Sequence, residues 1–286
     1  MLQVNGLTKY YGKVRGVHDV SFDVASGEIF GFIGPNGAGK STTIRCIMDL
    51  VPKNGGEVLL DGHVFDRHTP RRKALVGYLP SEITLYGDLR VRDIIRFNGR
   101  FYKNIDEAYL GRLIRRLDID ISRKISDLSL GNRKKVGIAL ALMHRPKLIL
   151  MDEASSGLDP LMQEAFYEIL REERERGTAI FFSSHNLSEV RRLCDRVAIV
   201  REGQIGMMDT IENIVNGFVH LVTLECSDAA VAQRLGGTAI EREGEMVRFL
   251  YEGTPDELIR ELSGVQVRRL LIEEPSLEDV FLNYYQ

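Results

Sequence analysis

The sequence predicts an α/β protein, a mixed sheet organised around a glycine-rich strand-to-helix loop, with a small α+β domain at its C-terminal end. Three observations predict it. Residues 34–41, GPNGAGKS, lie between an apolar run, Ile29-Phe30-Gly31-Phe32-Ile33, and a helical continuation, Thr42-Thr43-Ile44-Arg45-Cys46-Ile47-Met48. Lys147-Leu148-Ile149-Leu150-Met151-Asp152-Glu153 is a second apolar run, ending in two carboxylates. Beyond about residue 215 the composition shifts, and short alternating stretches take over.

In chain order, Leu2-Gln3-Val4 and Val20-Ser21-Phe22-Asp23-Val24 alternate apolar and polar residues and predict β-strands of an edge sheet. Between them, Lys9-Tyr10-Tyr11-Gly12-Lys13 reads as a turn. The Tyr11 ring either stacks on a nucleotide base, if that turn faces the glycine-rich loop, or is a half-buried core residue.

GPNGAGKS fits G-x-x-x-x-G-K-[ST], and its strand–loop–helix setting is the one a phosphate loop requires. Gly34, Gly37 and Gly39 permit tight turns that bring backbone N–H groups to an anion, and the helix start adds partial positive charge. Pro35, Asn36, Ala38 and Thr42 complete the cradle. Lys40 is placed to reach the β- and γ-phosphate oxygens, and the Ser41 hydroxyl to ligate Mg²⁺. A chance match in a chain of this length arises about once in a hundred.

Val51-Pro52-Lys53-Asn54-Gly55-Gly56 reads as a loop and Glu57-Val58-Leu59-Leu60-Asp61-Gly62 as a strand entering a turn. Leu75-Val76-Gly77-Tyr78-Leu79-Pro80 reads as a buried strand ended by its proline. From Val91 to about His144, Ile94, Ile95, Leu110, Leu113, Ile114 and Leu117 recur at helical spacing among charged residues. This block, about residues 88–144, is a helical insertion between two core strands. Within it, Ser129 is a helix N-cap, and the N–H groups of Gly131 and Asn132 offer a second anion site at a helix start.

Asp152 at the C-terminal end of its strand is positioned to hold the Mg²⁺ carried by phosphates, and Glu153 to orient or deprotonate an attacking water. A further apolar strand, Thr178 to Ser184, delivers His185, a hydrogen-bond donor near the γ-phosphate if that strand shares a sheet with Asp152.

The chain of 286 residues is 44% hydrophobic, with a net charge of −3 and a pI near 6.1, which supplies a sizeable core and excludes a global basic field for nucleic acid. Cys46, Cys194 and Cys226 are isolated and odd in number, so neither a disulfide framework nor a zinc site is indicated. No leader-like start or membrane-spanning run is evident, and a cytoplasmic protein is expected.

Four stretches together resemble the nucleotide-binding subunits of ABC transporters, over roughly residues 2–215. GPNGAGKS resembles Walker A, LILMDE Walker B, Ser129-Leu130-Gly131-Asn132 the signature motif, and Ser156-Gly157-Leu158-Asp159 the D-loop. His185 resembles the switch histidine and Tyr11 the adenine-stacking aromatic. The Walker motifs are 152 − 40 = 112 residues apart, with the insertion between them.

The resemblance implies a P-loop NTPase core with an N-terminal antiparallel β subdomain and an inserted helical subdomain. It also implies ATP as ligand, Mg²⁺ as cofactor, and a head-to-tail homodimer in which Ser129, Gly131 and Asp159 of one subunit meet the ATP held by the other. A polytopic membrane permease subunit would ride on that dimer and bring it to the cytoplasmic face of the membrane. Two departures stand out. The signature has Leu130 and Asn132 where glycine and glutamine are usual, and the loop after Leu79 has Ser81-Glu82 where the family's Q-loop has glutamine, leaving Glu82 or a water as substitute ligand.

After residue 215, Val222-Thr223-Leu224-Glu225-Cys226, Glu245 to Leu250 and Val265 to Ile272 read as strands. Thr254-Pro255-Asp256-Glu257 is a capped helix start, and Ser276-Leu277-Glu278-Asp279-Val280-Phe281 opens a final helix. Residues 216–286 thus form a domain of about four strands, resembling the accessory domain of bacterial exporter ATPases. Two functions follow from different classes: the ATPase of a membrane exporter, or a soluble ABC ATPase acting on nucleic acid or ribosomes. A single Walker A and the absence of sustained heptads favour the first, with no nucleic acid expected as partner. Ile83, Leu85 and Tyr86, beside the Q-loop position, either dock a membrane-subunit helix or pack inside the helical block.

Overall fold

The computed structural model describes residues 1–103, 105–216, 219–228 and 230–273. The expected helix at Ser276 lies outside them. The chain divides into two compact units, residues 1–207 and 208–286.

The first unit opens with β1 (Leu2–Tyr11) and β2 (Val14–Val24), an antiparallel hairpin longer than the alternating triplets predict. Gly12 turns it with φ 61°. Then follow β3 (Ile29–Ile33), α1 (Lys40–Ile47), β4 (Gly55–Leu60), β5 (His63–Val64), α2 (Pro70–Lys73) and β6 (Val76–Leu79). Strand β4 starts inside the expected loop because Gly55 pairs with Thr8. Gly56, with φ 82°, lies so close to β1 that a Cβ there would stand 2.4 Å from the Gly6 carbonyl oxygen. The inserted helical block is α3 (Val91–Gly99), α4 (Glu107–Arg116), a 3-10 turn (Ile125–Asp127) and α5 (Leu130–Leu142). It falls between β6 and β7 (Leu148–Asp152), which are sheet neighbours. After it come α6 (Pro160–Glu175), β8 (Ala179–Ser184), α7 (Leu187–Leu193), β9 (Arg196–Arg201) and β10 (Gln204–Thr210).

Two sheets result. An antiparallel one runs β2-β1-β4-β5, and a six-stranded one runs β10-β9-β3-β8-β7-β6, parallel from β9 to β6. Strands β3, β7 and β8 are buried at every residue, as a parallel sheet covered on both faces requires. Phe22 joins the sheets, its ring centroid 5.3 Å from Phe30 and 5.3 Å from Phe181. Helix α5 presses on β6 where Gly77 has no side chain; a Cβ there would stand 2.2 Å from the Ala141 carbonyl oxygen. That contact fixes α5, and with it Ser129, against the sheet that carries Asp152.

The second unit holds α8 (Ile211–Asn216), β11 (Val219–Cys226), α9 (Val231–Arg234), β12 (Thr238–Glu243), β13 (Met246–Glu252), α10 (Pro255–Leu262) and β14 (Val267–Glu273). Its sheet runs β12-β13-β11-β14, and Val222, Leu224, Phe249 and Leu258 lie in its core. Thr254 and Glu257 form a reciprocal capping box at the start of α10. The division between units falls within β10, ahead of the residue-215 boundary.

Candidate functional site: a phosphate loop facing paired carboxylates

The loop between β3 and α1 frames a pocket of about 270 Å³, lined by Tyr11, Arg15, Gly16, Asn36, Gly37, Gly39, Lys40, Ser41, Thr42 and Glu153. The glycines are required sterically. Gly39 has φ 104°, and a Cβ on it would meet Val17 Cγ1 at 2.7 Å; on Gly34 it would meet the Val200 carbonyl oxygen at 2.4 Å. Gly39 caps α1 without a side-chain hydrogen bond, and the first turn carries no acidic residue, so its N–H groups suit an anion. Ala38 is buried behind the loop, and Pro35 and Asn36 are at its exposed tip.

The Lys40 side chain is 5% exposed, and its ammonium donates to the carbonyls of Gly34 (2.7 Å) and Pro35 (3.1 Å). It stands 3.6 Å from Glu153 Oε1. Burial pushes its pKa down, and the charges of Glu153 and Asp152 oppose that shift.

Both carboxylates arise from the end of β7. Asp152 is 1% exposed, opposite Ser183 in the parallel register, and Ser183 Oγ donates to its Oδ1 at 2.7 Å. Glu153 leaves the strand with φ 48°, its N–H donating to the Ser183 carbonyl at 3.1 Å. That left-handed step turns its carboxylate between Lys40 and His185, whose Nδ1 lies 3.1 Å from Glu153 Oε1. The structure thus brings Lys40, Ser41, Thr42 and Glu153 to one pocket; His185 joins them through Glu153, and Asp152, buried one residue earlier, does not line it.

Tyr11 is 45% exposed and lines the same pocket, so its ring is presented rather than packed in the core. Ser129 caps α5, accepting from the Asn132 N–H at 3.3 Å, and Asp159 caps α6, accepting from the Met162 N–H at 3.0 Å. The two segments adjoin: a Cβ on Gly131 would stand 2.5 Å from the Gly157 carbonyl oxygen. Ser129, Gly131 and Asp159 therefore share a surface, but none lines the phosphate-loop pocket. Glu82 is exposed and does not line it either. Of the three residues in the neighbouring loop, Ile83 packs toward Gly137 and Leu85 onto the Val91–Ile94–Val136 cluster, whereas Tyr86 is 69% exposed.

A model of the family described as ABC transporter matches residues 17–156. A linearmycin resistance ATP-binding protein of Bacillus subtilis is 32% identical over 99% of this chain and 97% of its own length. The chain belongs to the ABC-transporter ATP-binding family. A Nod factor export ATP-binding protein of Rhizobium meliloti is 32% identical over 98% of this chain and 87% of its own. A solved ATP-binding subunit of an ABC transporter superposes with a TM-score of 0.72 at 30% identity, over 76% of this chain and 93% of that one. A dimeric cassette in a post-hydrolysis state with ADP and phosphate has the same fold, TM-score 0.67 at 22% identity. The ABC chain is accordingly an ATP-binding, ATP-hydrolysing subunit of a transporter.

In this ABC subunit, sequence reasoning missed Arg15 and Gly16 as pocket walls, Ser183 as the partner of Asp152, and Lys134, treated below. Ser183 stood in a quoted stretch, but its role depends on the β7/β8 register. Arg15, ion-paired to Glu202 at 3.1 Å, has no motif around it.

Proposed function

We propose that the subunit energises an exporter through ATP-dependent, head-to-tail pairing of two copies. The single observation that supports the pairing is the separation of Ser129, Gly131 and Asp159 from the phosphate loop of the same chain: their surface, with two capped helix starts and a serine hydroxyl, would serve another copy's ATP. ATP joins the two faces, and loss of its γ-phosphate lets them part.

Within each site, the Gly34–Thr42 cradle holds the phosphates and Tyr11 meets the base. Lys40 neutralises the β- and γ-oxygens. Glu153 is the general base, held toward the water by His185. Ser41 and Asp152 suit Mg²⁺, since a hydroxyl at the pocket and a buried carboxylate fixed by Ser183 are the oxygen donors this ion takes. The ion would supply charge compensation at the phosphates. No helix among the described residues is long and apolar enough to cross a membrane; we assign the translocation path to a membrane-spanning partner subunit. Exposed Tyr86 is the contact we assign to that partner.

Export as the direction is supported by relatives named for resistance and for Nod factor export that align along nearly this whole chain. The test is transport in inverted membrane vesicles carrying the chain and its membrane partner. ATP added outside should drive solute into the vesicles; ATP-driven loss of preloaded solute would reverse the direction, and salt-sensitive binding to RNA without membrane association would replace the reading altogether.

A further inference from the structure

A buried cation on α5 has no role in the chemistry described so far. Lys134, on the second turn of α5, is 3% exposed, and its ammonium donates to the Ser81 carbonyl at 2.8 Å. Among the described residues no carboxylate is within ion-pair distance of it; the negative charges acting on it are those of Asp152 and Glu153 at longer range. Burial pushes its pKa down and those two charges oppose the shift. A buried ammonium is costly, and a well-packed apolar side chain of similar volume generally serves stability as well or better. Stability therefore gives no reason for a cation here.

One helical turn onward, Gly137 makes a second attachment. A Cβ there would stand 2.3 Å from Ile83 Cδ1 and 3.0 Å from Leu79 Cδ1, so Ile83 sits in the gap that glycine leaves. Residues 81 and 83 are thus fastened to one face of α5, by a charge-assisted hydrogen bond at Lys134 and by packing at Gly137. The N-terminal cap of that helix is Ser129, and the loop's far end is the exposed Tyr86.

We propose that Lys134 is a positioning residue that links the Asp152–Glu153 end of β7 to residues 81–86, at the place where this chain carries serine and glutamate in a loop without glutamine. Its ammonium is shared between a carbonyl it touches and carboxylates it senses at a distance. A bound nucleotide changes the net charge around Asp152 and Glu153, and with it the pull on Lys134. The hold on Ser81 then strengthens or slackens, and the loop and the signature end of α5 shift together. This rests on the reading of loop 81–86 as the route to the partner subunit.

The test compares Lys134→Met, which keeps the stem and removes the charge, with Lys134→Arg in the full chain. The Met variant should unfold at no lower temperature than wild type, bind ATP with KM changed less than about twofold, and lose about tenfold or more in kcat, the pattern of lost positioning. Nucleotide-dependent differences in amide exchange at residues 81–86 should vanish in the Met variant, and Arg should restore both kcat and those differences. Unchanged kcat in the Met variant overturns the proposal, as does a kcat loss matched by a lower unfolding temperature and no rescue by Arg. Because everything is measured on the isolated chain, transport in the reverse direction sinks the exporter reading alone, while a fully active Met variant sinks only this one.

Discussion

Glu153 joins the two halves of the site at the scale of single residues. Its positive φ and its bond to the Ser183 carbonyl turn the carboxylate toward Lys40 and His185, away from the buried position of Asp152. Glu153→Gln should retain ATP binding and slow hydrolysis by roughly 10²–10⁴-fold, the scale of a general base; turnover near the wild-type rate in a steady-state assay would remove it from that role. Both carboxylates were legible in the sequence, because an apolar strand ending in Asp-Glu downstream of a phosphate loop has few other uses. Ser183 and Lys134 were not. A serine inside an apolar strand and a lysine in the run Arg133-Lys134-Lys135 acquire meaning only once register and helix packing decide what they face.

Among the elements, the helical block is held to the sheet core by charge as well as by apolar packing. Glu173 on α6 is 1% exposed and accepts from Arg145 at 2.7 Å, just beyond α5, and from Arg176 at 2.7 Å. Arg116 on α4 bonds Glu168 at 3.1 Å and Glu172 at 2.5 Å on the same helix. Removing the buried acceptor leaves two part-exposed guanidinium groups without it, so Glu173→Ala should destabilise the chain by about 1–3 kcal/mol in denaturant titration, whereas Glu168→Ala, exposed, should cost under about 1 kcal/mol. Similar small losses for both would mean the cluster is solvated. The sequence showed α3 and α4 through their apolar periodicity and α5 through its Ser129 cap, but these contacts join residues far apart in the chain. For the same reason β4 was expected to begin too late: its first residues are glycines, which read as loop until β1 lies beside them.

At the scale of the whole molecule, the sheet joined by Phe22, Phe30 and Phe181 sets the phosphate loop, Asp152 and His185 at the same ends of parallel strands. The α5 and α6 starts carry the signature and D-loop residues to a separate surface. In the proposed reading these two surfaces are complementary half-sites, and pairing of copies follows if both serve one ATP. Sedimentation velocity of the Glu153→Gln chain, with and without ATP and Mg²⁺, tests this most directly. A monomer without nucleotide that becomes a dimer with it, and reverts when Ser129 is also changed to a bulky acidic residue, is the predicted result; a sedimentation coefficient indifferent to ATP, whether monomeric or dimeric throughout, would contradict it.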